Sequence, residues 1–119
     1  MGANRVAVIG IGQTKYTSVR GDVSLPGLLR EAAYRALDDA GLTMDDIDAV
    51  VVGKAPDFFE GIMMPEPYLA EALGAVGKPL FRVHTAGSVG GSTAIVAASH
   101  VESGVHERVL TIGWQQQSV

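Results

Sequence analysis

Cysteine is absent from all 119 residues. That absence excludes a disulfide scaffold, a cysteine-ligated metal site and a thiol nucleophile together. Apolar runs such as Ala49-Val50-Val51-Val52 are short, far from the ~20 residues that a membrane-crossing helix needs, so no membrane span is expected. Charge is sparse at 18%, with nine Lys and Arg against thirteen Asp and Glu and no block of either sign. Without a basic excess, nucleic acid and an anionic membrane surface are not expected partners. The opening Met-Gly-Ala-Asn lacks a basic stretch followed by an apolar core, which argues against a secretory signal and for a cytoplasmic protein. What is present in quantity is apolar, at 47% of residues, which excludes a disordered tail and suits one domain.

Periodicity places the elements. Val6 to Gly10 is a continuous β-branched run that reads as a strand covered on both faces. Ser24 is a suitable N-cap, Pro26 fits the first helical turn, and Leu25, Leu28, Leu29, Ala32, Ala36 and Ala40 form a stripe at helical spacing; Gly41 then ends a helix over 25–40. Thr43 to Asp46 suits one capped turn, and Asp48 to Gly53 reads as the second strand, making a parallel βαβ unit with the first. Residues 54–67 are loop-like, and Glu66 to Leu73 forms a short helix stopped by Gly74. A third strand over 79–84 leads through a glycine-rich turn into a small-residue helix over 92–103, and Glu107 to Gly113 is the fourth strand. This order predicts an α/β fold with a mostly parallel sheet and βαβ crossovers. The tail from Gln115 to Val119 adds no helix to cover that last strand, which points to a piece of a longer body or an obligate partner of another chain.

Several side-chain patterns have simple explanations. Gly10-Ile11-Gly12 begins like a dinucleotide fingerprint, but the third glycine is missing and the helix starts too late to meet a pyrophosphate; a turn allowing close backbone packing accounts for it. Asp45, Asp46 and Asp48 lack the other ligands of a calcium loop and fit a capped turn. His84, His100 and His106 are widely spaced, two of them expected on exposed helix or loop, and no metal site is expected. Met63 and Met64 suit the lining of an apolar acyl surface, or equally a loop anchor or subunit contact.

Residues 84–104 carry the most information. A strand running through glycines into a helix aims backbone N–H groups and the positive end of the helix dipole at one point, as an oxyanion site or a strained nucleophile elbow requires. By shape alone, a tight packing turn is the simpler account. The segment His84-Thr85-Ala86-Gly87-Ser88-Val89-Gly90-Gly91-Ser92-Thr93-Ala94, with Ala97-Ala98 and Gly104, resembles the nucleophile elbow of the thiolase superfamily. Within it, the chain is similar to the thiolase-like proteins related to sterol carrier protein 2, the lipid-transfer proteins and acetyl-CoA acetyltransferases. Residues 6–14, 36–42, 46–50 and 68–74 carry the same resemblance.

The resemblance implies part of the N-terminal half of a thiolase-like fold over 1–119, acyl-CoA as substrate, no separate cofactor and a homo-oligomer. Aligning the family's elbow glycine on Gly90 puts Gly87 where the nucleophilic cysteine stands, and Gly113-Trp114-Gln115 replaces the family's acid after the next strand with an amide. Acyl transfer through a cysteine thioester is therefore closed to this segment. Ser88, one residue beyond the cysteine position, is a weak alternative nucleophile without an identified base, and a turn-stabilising serine is the better reading. His84, Gly90, Gly91, Met63 and Met64 are the expected substrate-binding positions. Cysteine-free lineages of this kind include retro-aldolases that cleave sterol side-chain acyl-CoA beside a small OB-fold partner. The expectations are such a lyase or acyltransferase, a non-catalytic acyl-CoA or lipid binder, or a segment whose role is structural.

Overall fold

The structure, a computed structural model, describes residues 5–15, 22, 24–54 and 66–114. It contains helix α1 (Leu25–Ala40), strand β1 (Ala49–Gly53), helix α2 (Glu66–Leu73), strand β2 (Leu80–Val83), helix α3 (Val89–Glu102) and strand β3 (Val109–Gly113). The three strands form a parallel sheet in the order β2-β1-β3. Val50 stands beside Leu80 on one side and Leu110 on the other, and Gly53 beside Val83 and Gly113. This is the α/β fold with a parallel sheet that the periodicity implied.

β1 is buried along its whole length, which is why it reads as an unbroken apolar run rather than an alternating one. The chain steps from β1 to β2 on one side, then back across β1 to β3. That reversal puts α2 and α3 on opposite faces of the sheet. Val50, Val52, Leu110 and Ile112 meet Leu29, Ala33 and Leu37 of α1 and Leu69 and Leu73 of α2 in one core. Each buried leucine contributes roughly 1.5–3 kcal/mol.

The ends of α1 fall where its caps put them. Ser24 Oγ accepts from the Gly27 N–H at 3.1 Å, and Gly41 closes the helix with φ 71°, a conformation that strains any side chain. The core line of α1 is Leu29, Ala33 and Leu37, shifted from the expected stripe. Ala36 and Ala40 instead back a second contact.

That contact corrects the first expected strand. Residues 5–15 have no regular secondary structure, and Val8 and Ile9 are 83% and 60% exposed. The segment lies across α1, where the Ile11 N–H donates to the Asp39 carboxylate (2.9 Å) and Arg35 Nη1 to the Gln13 carbonyl (2.8 Å). A Cβ on Gly10 would stand 2.5 Å from the Ala36 carbonyl oxygen, and one on Gly12 2.5 Å from the Ala36 nitrogen. The glycines thus serve close backbone packing. A β-branched run records fitness for a pleated surface, not the presence of a partner strand, so the residues alone did not separate the two cases.

The aspartates divide their work. Asp46 accepts from the Thr43 N–H at 2.9 Å and caps a single 3-10 turn over Met44–Asp46. Asp48 is no part of that cap: its carboxylate accepts the N–H groups of Glu107 (2.9 Å) and Arg108 (3.0 Å), fastening the start of β1 to the start of β3. Those two donors hold the Asp48 carboxyl below its ordinary value of 3.8.

Candidate functional site

In a parallel α/β sheet the crevice beyond the carboxyl ends of the strands is where loops converge, particularly where the winding reverses. Here that edge collects Lys54, His84 and Trp114, each immediately following a strand. The Lys54 N–H donates to the Val83 carbonyl (3.3 Å) and the Trp114 N–H to the Gly53 carbonyl (3.0 Å), so the ladder continues one residue past the strands. Lys54 is fully buried, while the indole of Trp114 packs against the core with its Nε1 buried and without a hydrogen-bond partner among the described residues. Neither residue was singled out as a site from the sequence. The available signal for Lys54 was a lysine directly after an unbroken apolar strand.

The turn after β2 is the centre of the site. His84 is exposed, and Thr85 leads into a 3-10 turn over Ala86–Ser88 that runs straight into α3. The helix begins at Val89 rather than at residue 92, so Gly90 and Gly91 lie in its first turn and not in a loop. The reason is that the 3-10 turn already has helical sense: the Val89 N–H bonds back to the Ala86 carbonyl.

The strained residue is Ala86, at φ 53°, and not Gly87. An alanine there costs roughly 1–2 kcal/mol relative to right-handed backbone. Among the described residues nothing lies within 4 Å of a Cβ built on Gly87, Gly90 or Gly91, so the backbone is open at these three positions. Gly53 of β1, by contrast, lies so close to α3 that a Cβ would overlap the Thr93 hydroxyl and come within 3.2 Å of Val89 Cγ2. The start of α3 is thereby seated on the central strand.

Three hydroxyls bracket the turn. Ser88 Oγ donates to the Thr85 carbonyl (2.9 Å), and Thr85 Oγ1 lies 2.9 Å from Ser88 Oγ and 2.7 Å from Ser92 Oγ. The proton of Ser88 therefore rests on a carbonyl and not on a base that would activate it. Met63 and Met64 lie outside the described residues.

The histidines are placed differently from their sequence spacing. His100 and His106 stack with ring centroids 5.3 Å apart, and Phe81 adds a tilted contact to His100 at 4.9 Å. Both are half-buried, and α3 and the turn before β3 bring them together. His84 is not among them. Among the described residues no three metal-ligating side chains converge, and no helix is long and apolar enough to cross a membrane.

No protein-family model matches the chain. It is 32% identical over 117 residues to an acetyl-CoA acetyltransferase of Methanothermobacter thermautotrophicus, an alignment covering 95% of this chain and 30% of the relative. It is 29% identical over 116 residues to sterol carrier protein 2 of Homo sapiens, covering 96% of this chain and 21% of that protein. Among solved structures, the Ltp2-ChsH2(DUF35) aldolase superposes with a TM-score of 0.73 at 28% identity, over 95% of this chain and 28% of that one. The chain thus spans between a fifth and a third of the length of these relatives.

Proposed function

We propose, from the premise that this chain belongs to the thiolase superfamily among the relatives of sterol carrier protein 2, that it forms the elbow of a protein acting on acyl-CoA thioesters without a cysteine nucleophile. The observation that carries this reading is Gly87: it occupies the cysteine position of the resemblance, and no described residue fills the space that its Cβ would take. With no thiol anywhere in the chain, acyl transfer through a covalent thioester is replaced by chemistry that needs only a polarised thioester carbonyl.

Aldol-type cleavage of a β-hydroxyacyl-CoA meets that requirement. A base removes the β-hydroxyl proton, the bond between Cα and Cβ breaks to leave a ketone or aldehyde, and the electron pair passes to the thioester as an enolate. Backbone N–H groups around Gly87, Gly90 and Gly91 would hold the enolate oxygen until Cα is protonated. The base is supplied from outside this segment. Sterol or lipid side-chain acyl-CoA is the substrate class, a CoA thioester is the only small molecule required, and the protein acts in the cytoplasm as a homo-oligomer. The solved neighbour whose name joins an aldolase to a DUF35 protein supports an aldol reaction and a protein partner, for which we propose the small OB-fold protein that the resemblance implies.

Non-catalytic binding of acyl-CoA or lipid is the second reading, supported by the sterol carrier relatives and by the proton of Ser88 resting on a carbonyl. The test is incubation of the whole protein with a β-hydroxyacyl-CoA, followed by mass spectrometry of the CoA products and calorimetry of binding. Release of a shortened acyl-CoA is the expected result. Binding without cleavage favours the second reading, and neither binding nor cleavage refutes both.

A further inference from the structure

We infer that Thr85 is the positioning residue of the elbow, holding the end of β2 against the first turns of α3 through Ser88 and Ser92. Its meaning for catalysis rests on the elbow reading above; its geometry does not. The protons fix the direction of the chain. Ser88 Oγ is 2.9 Å from the Thr85 carbonyl, which can only accept, so the Ser88 proton is committed there. The 2.9 Å contact between Thr85 Oγ1 and Ser88 Oγ must then carry the Thr85 proton. With that proton used, the 2.7 Å contact to Ser92 Oγ needs the Ser92 proton. One arrangement satisfies every contact: Ser92 donates to Thr85, Thr85 to Ser88, and Ser88 to the Thr85 carbonyl.

Two consequences follow from this order. Thr85 enters the chain with both its hydroxyl and its carbonyl, so a closed bracket encloses Ala86 and Gly87, and Ala86 is the residue whose φ of 53° most needs holding. In addition, none of the three hydroxyls keeps a proton for a ligand. An oxyanion brought to the open side of Gly87 is met by backbone N–H groups alone, and Thr85 governs the reaction by where it holds that backbone.

Thr85→Val matches the side chain in shape and removes the hydroxyl, whereas Thr85→Ser keeps it. In the whole protein, amide hydrogen exchange over residues 86–92 should quicken about tenfold in Thr85→Val and stay within about twofold of wild type in Thr85→Ser. On a β-hydroxyacyl-CoA, kcat should fall about tenfold in Thr85→Val with KM little changed, and Thr85→Ser should restore it. Exchange in Thr85→Val equal to wild type, or as fast in Thr85→Ser as in Thr85→Val, overturns the inference whatever the activity. Faster exchange with unchanged kcat in a protein that does cleave the thioester overturns the positioning role. A wild type that neither binds nor cleaves CoA thioesters refutes the proposed function instead, and the exchange result still decides on Thr85.

Discussion

Replacing Gly53 with alanine tests the seat on which the elbow is built. The added methyl would overlap the Thr93 hydroxyl and stand 3.0 Å from Thr93 Cβ and 3.2 Å from Val89 Cγ2. β1 is buried along its length between two strands, so it cannot retreat, and the strain falls on α3. Either the helix start moves outward by a few tenths of an ångström or Thr93 turns away, giving up its 2.7 Å bond to the Val89 carbonyl. Overpacking of this kind costs roughly 1–3 kcal/mol and the lost bond about 1 kcal/mol, so a net loss of about 2 kcal/mol is expected. Urea unfolding should report it as a midpoint about 1 M lower at unchanged m. Thr93→Ala removes the obstructing hydroxyl, so the double variant should be at least about 1 kcal/mol more stable than the sum of the single losses predicts. Strictly additive losses would refute the contact, and with it the account of how α3 is seated.

The elbow itself gives two contrasting predictions. Gly87→Ala adds a methyl to open space at ordinary φ, so unfolding stability should stay within about 0.5 kcal/mol while thioester turnover falls; an unchanged turnover would remove Gly87 from the site. Ala86→Gly relieves left-handed strain against the larger unfolded-state entropy of glycine, and should raise stability by about 0.5–1 kcal/mol in thermal unfolding. Asp48 sets a pH dependence through its lowered carboxyl. Its stabilising effect is fully present above the unfolded value near 3.8 and fades as pH falls through the lower folded value. The stability difference between wild type and Asp48→Asn should therefore be constant at neutral pH and begin to shrink as pH falls below about 4; a difference that widens on acidification would refute the role of the two N–H donors.

The elements whose signals are local were legible in the residues. Ser24 and Gly41 bound α1 because capping depends on the side chain and backbone of those residues themselves. β1 was legible because burial on both faces leaves a run with no alternation. The features that depend on what comes near in space were not. Val6 to Gly10 has the composition of a strand, but pairing is a property of two segments, and this one lies on a helix. The start of α3 was misplaced because Gly90 and Gly91 signal a loop by propensity, whereas the 3-10 turn before them imposes helical sense. His100 and His106 are six positions apart in the chain and stack only because the turn after α3 folds back. At the elbow, the glycine pattern identified the segment, but the left-handed residue is an alanine, and no propensity scale selects Ala86 for that role.

The strand order also governs the sequence of events as the chain acquires its structure. The middle strand precedes both of its neighbours in the chain, and β1, α2 and β2 form a nearly local unit spanning residues 49–83. The other flank is closed from much farther away: the bonds from Glu107 and Arg108 to Asp48 join positions 59 and 60 residues apart. Doubling the loop length adds about 0.6 kcal/mol to the cost of closure, which favours pairing of the nearer flank first. Until it happens, Ala49 to Gly53, the most apolar strand of the sheet, presents one bare row of N–H and C=O groups to any other chain that passes. Asp48, at the opposite end of β1 from the elbow, is the side chain that fastens this flank, so its two bonds keep that row covered once the strands have met.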